Sequence, residues 1–177
     1  MEKILTLIIP SYNMEKYLDK CISSLIVDAL PKMEVLVVND GSKDSTLQIA
    51  KAWNMRYPES IFFIDKPNGN YGSCINAGLA VAHGKYVKVL DADDSFETGN
   101  LDRYLTFLEK SDSDLVISDY AIVDESGTER RRVSFRNGAT PSLPGVFDDF
   151  MKTVQDFDFE MHAVAYRRSI FERFSYR

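Results

Sequence analysis

Four short aliphatic and β-branched runs recur along the first half of the chain, and each of the first three leads into a segment with helical spacing. This alternation limits the folds open to it. The runs are Ile4 to Ile9, Met33 to Val38, Ile61 to Ile64 and Tyr86 to Leu90. They carry apolar residues at odd and even positions alike, as strands covered on both faces do. Between them, three sets of residues each fall on one helix face: Leu18, Ile22, Leu25 and Ile26; Leu47, Ala50, Trp53 and Tyr57; Ile75, Leu79 and Ala82. Pro10 is expected to stop the first strand and Pro58 to end the second helix. Ser42 or Asp44 is expected to cap that helix, and Gly84 to sit at the C′ position after the third. Strand, helix and strand in repetition, with short links, predict an α/β fold: a doubly wound, mostly parallel central sheet with helices on both faces. Ligands of such sheets bind outside the carboxyl ends of the strands, where strand order reverses. Asn13, Asp40, Asn68 and Asp91 all follow strand ends, so the pattern gathers them on one rim.

After residue 94 the pattern changes. Leu101, Tyr104, Leu105 and Leu108 mark another amphipathic helix. Asp114 to Ser118 and Tyr120 to Val123 read as strands, and Ser126-Gly127 as a hairpin turn before Arg130-Arg131-Arg132-Val133. These short pieces predict a small antiparallel C-terminal part. The arginines fit a solvated strand edge, or else a contact with acceptor or membrane. Residues 137–145 read as a loop, 146–154 as a short helix, 163–166 as a last strand and 170–174 as a last helical turn. No repeat or linker divides the chain, so one domain is expected.

The 177 residues are enough for a real core, and 45% of them are hydrophobic. The formal net charge is −6. That balance argues against nucleic acid as partner, which needs a basic footprint. Phosphates could still bind locally through a metal or backbone N–H groups. Cys21 and Cys74 lie in helical patterns without metal-type spacing and read as small core residues in a reducing compartment. The apolar runs are too short to span a bilayer, and no signal-type segment precedes the first strand, so the cytoplasm is the expected location.

The fourth run ends in Asp91-Ala92-Asp93-Asp94. In extended backbone, residues two apart point the same way, so Asp91 and Asp93 would face one ligand together. Paired carboxylates repel unless a cation sits between them, and hard oxygen ligands suit Mg²⁺ or Mn²⁺. The alternative is structural: Asp91 ends a strand while Asp93 or Asp94 caps the next helix.

Four signatures occur in order: Pro10-Ser11-Tyr12-Asn13; Val38-Asn39-Asp40-Gly41-Ser42-Lys43-Asp44; Asn68 through Asn76-Ala77-Gly78; and Gly84-Lys85-Tyr86 leading to Asp91-Ala92-Asp93-Asp94. Together these resemble the family 2 inverting glycosyltransferases of the GT-A fold, closely over residues 4–98 and more loosely beyond. The resemblance implies a nucleotide-sugar-binding half at 1–98 and a partial acceptor-side half at 99–177. It implies that Pro10 and Tyr12 line a nucleotide pocket, with Asn68 beside the base. Asp40 would accept a hydrogen bond from the uracil imide N–H, since a carboxylate is acceptor-only. Asp91 would contact ribose or sugar, and Asp93, with Asp91, would hold Mg²⁺ or Mn²⁺ against the diphosphate. Two positions depart from the family pattern: Asn39, where Asp is common, and Ile75, where an Arg can approach the diphosphate. Phosphate binding would then lean on the metal and on N–H groups near Gly72 and Ser73 at a helix start.

The implied reaction moves a sugar from a nucleotide diphosphate sugar, a UDP-sugar by the Asp40 argument, to a hydroxyl of a glycan or other acceptor, with inversion. Cell-surface polysaccharide synthesis, with peripheral association at the inner face of the plasma membrane, is the implied setting. The acceptor proton needs a general base. In the family this lies further along than residue 177, so the chain is expected to be a C-terminally truncated portion; Asp156, Asp158 and Glu160 are substitutes by composition only. One rival reading keeps the fold as a non-catalytic nucleotide-sugar-binding module. Another, a nucleotidyltransferase, would need a Gly-rich basic loop where Pro10-Ser11-Tyr12-Asn13 stands.

Overall fold

The computed structural model describes residues 2–124, 126–135 and 160–173. Strand β1 (Leu5–Ser11) is buried along its whole length, as is β2 (Met33–Asp40). They alternate with α1 (Leu18–Ser23) and α2 (Thr46–Arg56), followed by β3 (Ile61–Lys66), α3 (Asn70–Leu79), β4 (Tyr86–Val89) and α4 (Thr98–Lys110). Short strands β5 (Leu115–Ile117), β6 (Tyr120–Val123), β7 (Glu129–Val133) and β8 (Val164–Arg167) come next, and then α5 (Ser169–Arg173). The expected loop at 137–145, the expected helix at 146–154, Asp156, Asp158 and Phe174 lie outside the described residues.

The main sheet has the order β3-β2-β1-β4-β8-β5. Strands β1 to β4 are mutually parallel where they pair, and β8 runs antiparallel to both of its neighbours. Strand order therefore reverses between β1 and β4, and sheets of this kind take their ligands outside the carboxyl ends of the strands at such a point. Strands β6 and β7 form a separate antiparallel ribbon whose turn contains Gly127 at φ +82°. Its arginines are solvated: Arg130 pairs with Asp124 at 2.5 Å and Arg132 with Glu129 at 2.6 Å.

Alternate residues of the parallel strands feed two cores. Leu5, Leu7 and Ile9 pack with Val35 and Val37 against Leu18, Ile22, Trp53, Leu101, Leu105 and their neighbours. Ile8, Leu36, Val38 and Val87 pack on the other face with Cys74 of α3 and Phe171 of α5. Each fully buried aliphatic side chain contributes roughly 1.5–3 kcal/mol. Both cysteines are buried, and both are free thiols.

Two local expectations give way. Pro10 does not end β1; it pairs in register with Val38. Ile8 offers its carbonyl to Leu90 of the β4 side, so Pro10, of the same parity, faces that side beyond the last paired residue of β4. Its missing N–H is therefore lost where no ladder needs it. Gly84 is no helix cap, since α3 ends at Leu79. A Cβ there would lie 2.8 Å from the Thr6 hydroxyl, and the Gly84 N–H donates to that oxygen at 2.9 Å. Glycine is required by close approach to β1. Among the described residues, no helix is long and apolar enough to cross a membrane.

Candidate functional site

The loops after β1 and β2 are stitched together. Asn13, at φ +54°, donates its N–H to Ser42 Oγ at 3.0 Å and accepts from the Lys43 N–H at 2.9 Å. The Met14 N–H donates to Thr46 Oγ1 at 2.7 Å, and the Glu15 N–H to Asp44 at 3.0 Å. Neither Ser42 nor Asp44 is the cap of α2, which is Ser45; Asp44 accepts the Thr46 N–H at 3.0 Å from just ahead of it, and Ser42 is spent on Asn13. Burial pushes the Asp44 carboxyl up, but these hydrogen bonds outweigh it and hold the group below the usual carboxylate range. Pro10 is buried under this frame, and Tyr12 stands exposed on the rim.

Asp40, the last residue of β2, is 3% exposed and followed by Gly41 at φ +70°. Its Oδ1 accepts from the Lys66 ammonium and from the Gly69 N–H at 2.9 Å. Asn68 donates its side-chain amide to the Asp40 carbonyl at 3.1 Å. Ser73, on the first turn of α3, accepts from Lys66 at 2.7 Å and donates to the Asn70 carbonyl at 2.7 Å. Burial raises the Asp40 carboxyl, yet Lys66 and the Gly69 N–H overcome it and keep the group below its ordinary value. The departure at Asn39 is absorbed locally: its amide donates to Asp65 at 2.7 Å.

Beyond β4 the chain leaves the extended form. The Asp94 N–H bonds to the Asp91 carbonyl at 3.0 Å, making a turn. Asp91 and Asp94 are thus brought together, with Ala92 buried and Asp93 exposed. The alternation that would set Asp91 beside Asp93 does not form. Nor does either later aspartate cap the next helix, whose N-cap is Glu97. His162, from a 3₁₀ turn just before β8, approaches Asp94 at 3.7 Å. One ligand atom from each of Asp91, Asp94 and His162 lies within 4.8 Å of the others. Burial raises the Asp94 carboxyl; His162 opposes this, while Asp91, Asp93 and Glu160 add to it. Crowded carboxylates beside one imidazole are a donor set that suits a divalent cation of the Mg²⁺ or Mn²⁺ class. The Tyr71 phenol, on the first turn of α3, donates to Asp91 Oδ1.

Asp40, Asn68, Ser73 and Asp91 therefore stand on one rim with Pro10 and Tyr12, in two groups either side of the strand-order reversal. Lys66, Tyr71 and His162 are additions that the sequence did not single out. A lysine closing β3 two residues before Asn68 was a readable signal. His162 had none, because only the antiparallel return of β8 brings it near Asp94.

A family model described as "Glycosyl transferase family 2" matches residues 6–174. An uncharacterized glycosyltransferase of Mycoplasma pneumoniae, the MG025 homolog, is 42% identical over 97 residues, covering 52% of this chain and 32% of its own. The S. aureus TarS 1-349 structure in complex with UDP-GlcNAc superposes with a TM-score of 0.71 at 24% identity, over 96% of this chain and 47% of that one. The Pyrobaculum calidifontis mannosyltransferase PcManGT, in complex with GDP-Man and Mn²⁺, gives 0.63 at 17% identity, over 98% and 47%. The chain thus spans less than half the length of each of these proteins.

Proposed function

Since the chain belongs to glycosyl transferase family 2, we propose that it binds a nucleotide diphosphate sugar, by preference a UDP-sugar, and serves transfer of the sugar to an acceptor hydroxyl with inversion. The observation that carries this reading is the pairing of two unlike carboxylate sites on one rim: Asp40, buried and charge-paired, and the Asp91–Asp94 turn, crowded with negative charge. Asp40 is acceptor-only when ionised, so it suits a base that presents an N–H, as uracil does. Pro10 and Tyr12 would flank that base, with Asn68 beside it. Asp91 would meet the ribose or sugar, and the N–H groups at the start of α3, near Gly72 and Ser73, would face the diphosphate.

The proposed metal residues are Asp91 and Asp93, on one turn with Asp94; the ligand atoms that already converge are those of Asp91, Asp94 and His162, and Asp93 stands exposed beside them. A divalent cation bound there supplies Lewis-acid compensation for the charge gathering on the departing diphosphate. The chain's own residues fix the donor: Asp40 orients the base, and Asp91 the sugar end. Loss of the acceptor proton needs a carboxylate on the opposite face of the sugar. The bound relatives support the donor class, since TarS holds UDP-GlcNAc and PcManGT holds GDP-Man with Mn²⁺.

Calorimetric titration with UDP, CDP, GDP and UDP-sugars, with and without Mn²⁺, tests the reading. Metal-dependent binding of a uridine nucleotide, abolished by Asp93→Ala, is expected. Absence of any nucleotide binding would end it. A turnover assay then separates transfer from binding alone.

A further inference from the structure

Lys66 closes β3 with its side chain 20% exposed, against 4% for the carboxylate it meets. All three of its protons are committed: to Asp40 Oδ1, to Ser73 Oγ at 2.7 Å and to the Pro67 carbonyl at 2.9 Å. The cluster closes around Gly69, where a Cβ would lie 2.7 Å from Ser73 Oγ and 3.1 Å from Lys66 Nζ, so a side chain there would displace the hydroxyl. That glycine brings its N–H to the same oxygen of Asp40, at 2.9 Å. Backbone and lysine therefore converge on one carboxylate at the tip of β2, and Ser73 holds the lysine in place.

We propose that Lys66 is a positioning residue for base recognition: its ammonium pins Asp40 and keeps it an ionised acceptor, and so sets which nucleobases the site admits. This rests on the reading of Asp40 as the base contact. A buried carboxylate without a counter-charge favours its protonated form. A protonated Asp40 would present an O–H donor to an imide N–H, which is the wrong partner, and would suit the acceptor nitrogen of cytosine instead. Lys66, with no proton left over, acts through Asp40 and not on the ligand. The titratable groups facing Asp40 are Lys66 from β3 and the Cys74 thiol from α3. Burial and the Asp40 charge push that thiol up, so it stays neutral while a carboxylate titrates. The contact also joins three elements, since Ser73 sits on the first turn of α3. Losing it loosens the α3 entry as well as the carboxylate, which is why the test reads pH dependence and base preference.

Calorimetry with UDP and CDP between about pH 5 and pH 8, the range in which a raised carboxylate titrates, tests the proposal on the wild type, Lys66→Met, Lys66→Arg and Asp40→Asn. The wild type should hold its UDP affinity across this range. In Lys66→Met the affinity should fall with falling pH, by on the order of tenfold per unit of raised pKa, and the preference for UDP over CDP should shrink with it. Lys66→Arg should restore much of the flat profile. A Lys66→Met protein with unchanged pH profile and base preference overturns the proposal. Should Lys66→Met fail to fold, Lys66→Gln takes its place under the same criterion. Failure of the underlying reading looks different: the wild type then binds no uridine nucleotide, or Asp40→Asn binds as the wild type does, and the role of Lys66 is refuted with it.

Discussion

The Tyr71 phenol donates a 2.5 Å hydrogen bond to Oδ1 of Asp91, tying the first turn of α3 to the turn beyond β4. Burial, this bond and the charges of Asp91, Asp94 and Asp93 all push the phenol well above the ordinary tyrosine range. A group raised on folding adds stability that is present below its unfolded pKa and lost as pH climbs towards the folded one. Alkaline titration followed by tyrosinate absorbance should therefore show one fewer late-ionising phenol in Tyr71→Phe. Amplitude lost from the ordinary tyrosine range instead, with the late-ionising phenols unchanged, would show that Asp91 does not hold Tyr71 in solution.

Asp94 carries the same sign in a lower pH window. Its carboxyl is raised by burial and by its acidic neighbours, so stability falls as pH climbs from the unfolded carboxylate value to the folded one, and above that the cost is complete. Asp94→Asn should make the metal-free protein more stable at neutral pH and weaken its affinity for Mn²⁺. Thermal melts with and without Mn²⁺ read both effects. A variant that gains metal affinity would remove Asp94 from the cation site.

Gly78 places α3 directly on β1. A Cβ there would meet three side-chain carbons of Ile8 at 2.7 to 2.8 Å, and Ile8 is fully buried. Alanine is worth about 1 kcal/mol over glycine in a free helix, but overpacking of a closed core costs about 1–3 kcal/mol. Gly78→Ala should therefore lower stability in urea unfolding. Adding Ile8→Val should return part of the loss, a coupling that independent sites would not show.

Lys88 lies in the core on β4, 2% exposed, with its ammonium 3.2 Å from Ser118 Oγ and facing the rings of Phe96 and Tyr104. Burial pushes it down to about 7. An unfolded lysine keeps its proton to about pH 10.4. Between those values the unfolded chain holds a proton that the folded one has released, so folding stability rises with pH there, and below that window the penalty is complete. Lys88→Met should be more stable at neutral pH and should flatten the slope between neutral and alkaline conditions. Equal slopes in both proteins would contradict this account.

The parallel half of the fold is legible because a strand buried on both faces leaves an unbroken aliphatic run, as Leu5–Ser11 and Met33–Asp40 do. Pro10 misleads because a proline is neutral wherever the ladder has already stopped, and the length of a neighbouring strand is not written locally. Asp91, Ala92 and Asp93 mislead for a related reason. Strand alternation sets the two carboxylates on one side, whereas a turn hydrogen bond pairs Asp91 with Asp94. Asp40 and Asn68 are readable as rim residues from their position after strands. That Lys66 and Gly69 share one oxygen of Asp40 depends on the register of β2 against β3, with Asp40 opposite Lys66. His162 is harder still, since it reaches Asp94 only through the return of β8 alongside β4.

Strand β1 runs on for three residues past its last pairing with β4 while still bound to β2. The middle of the sheet is therefore stepped, and the ledge is made of peptide groups. A seat of that kind does not depend on which side chains surround it. Replacements along the lip change what is held there, while the ledge persists as long as the two strands keep their unequal lengths.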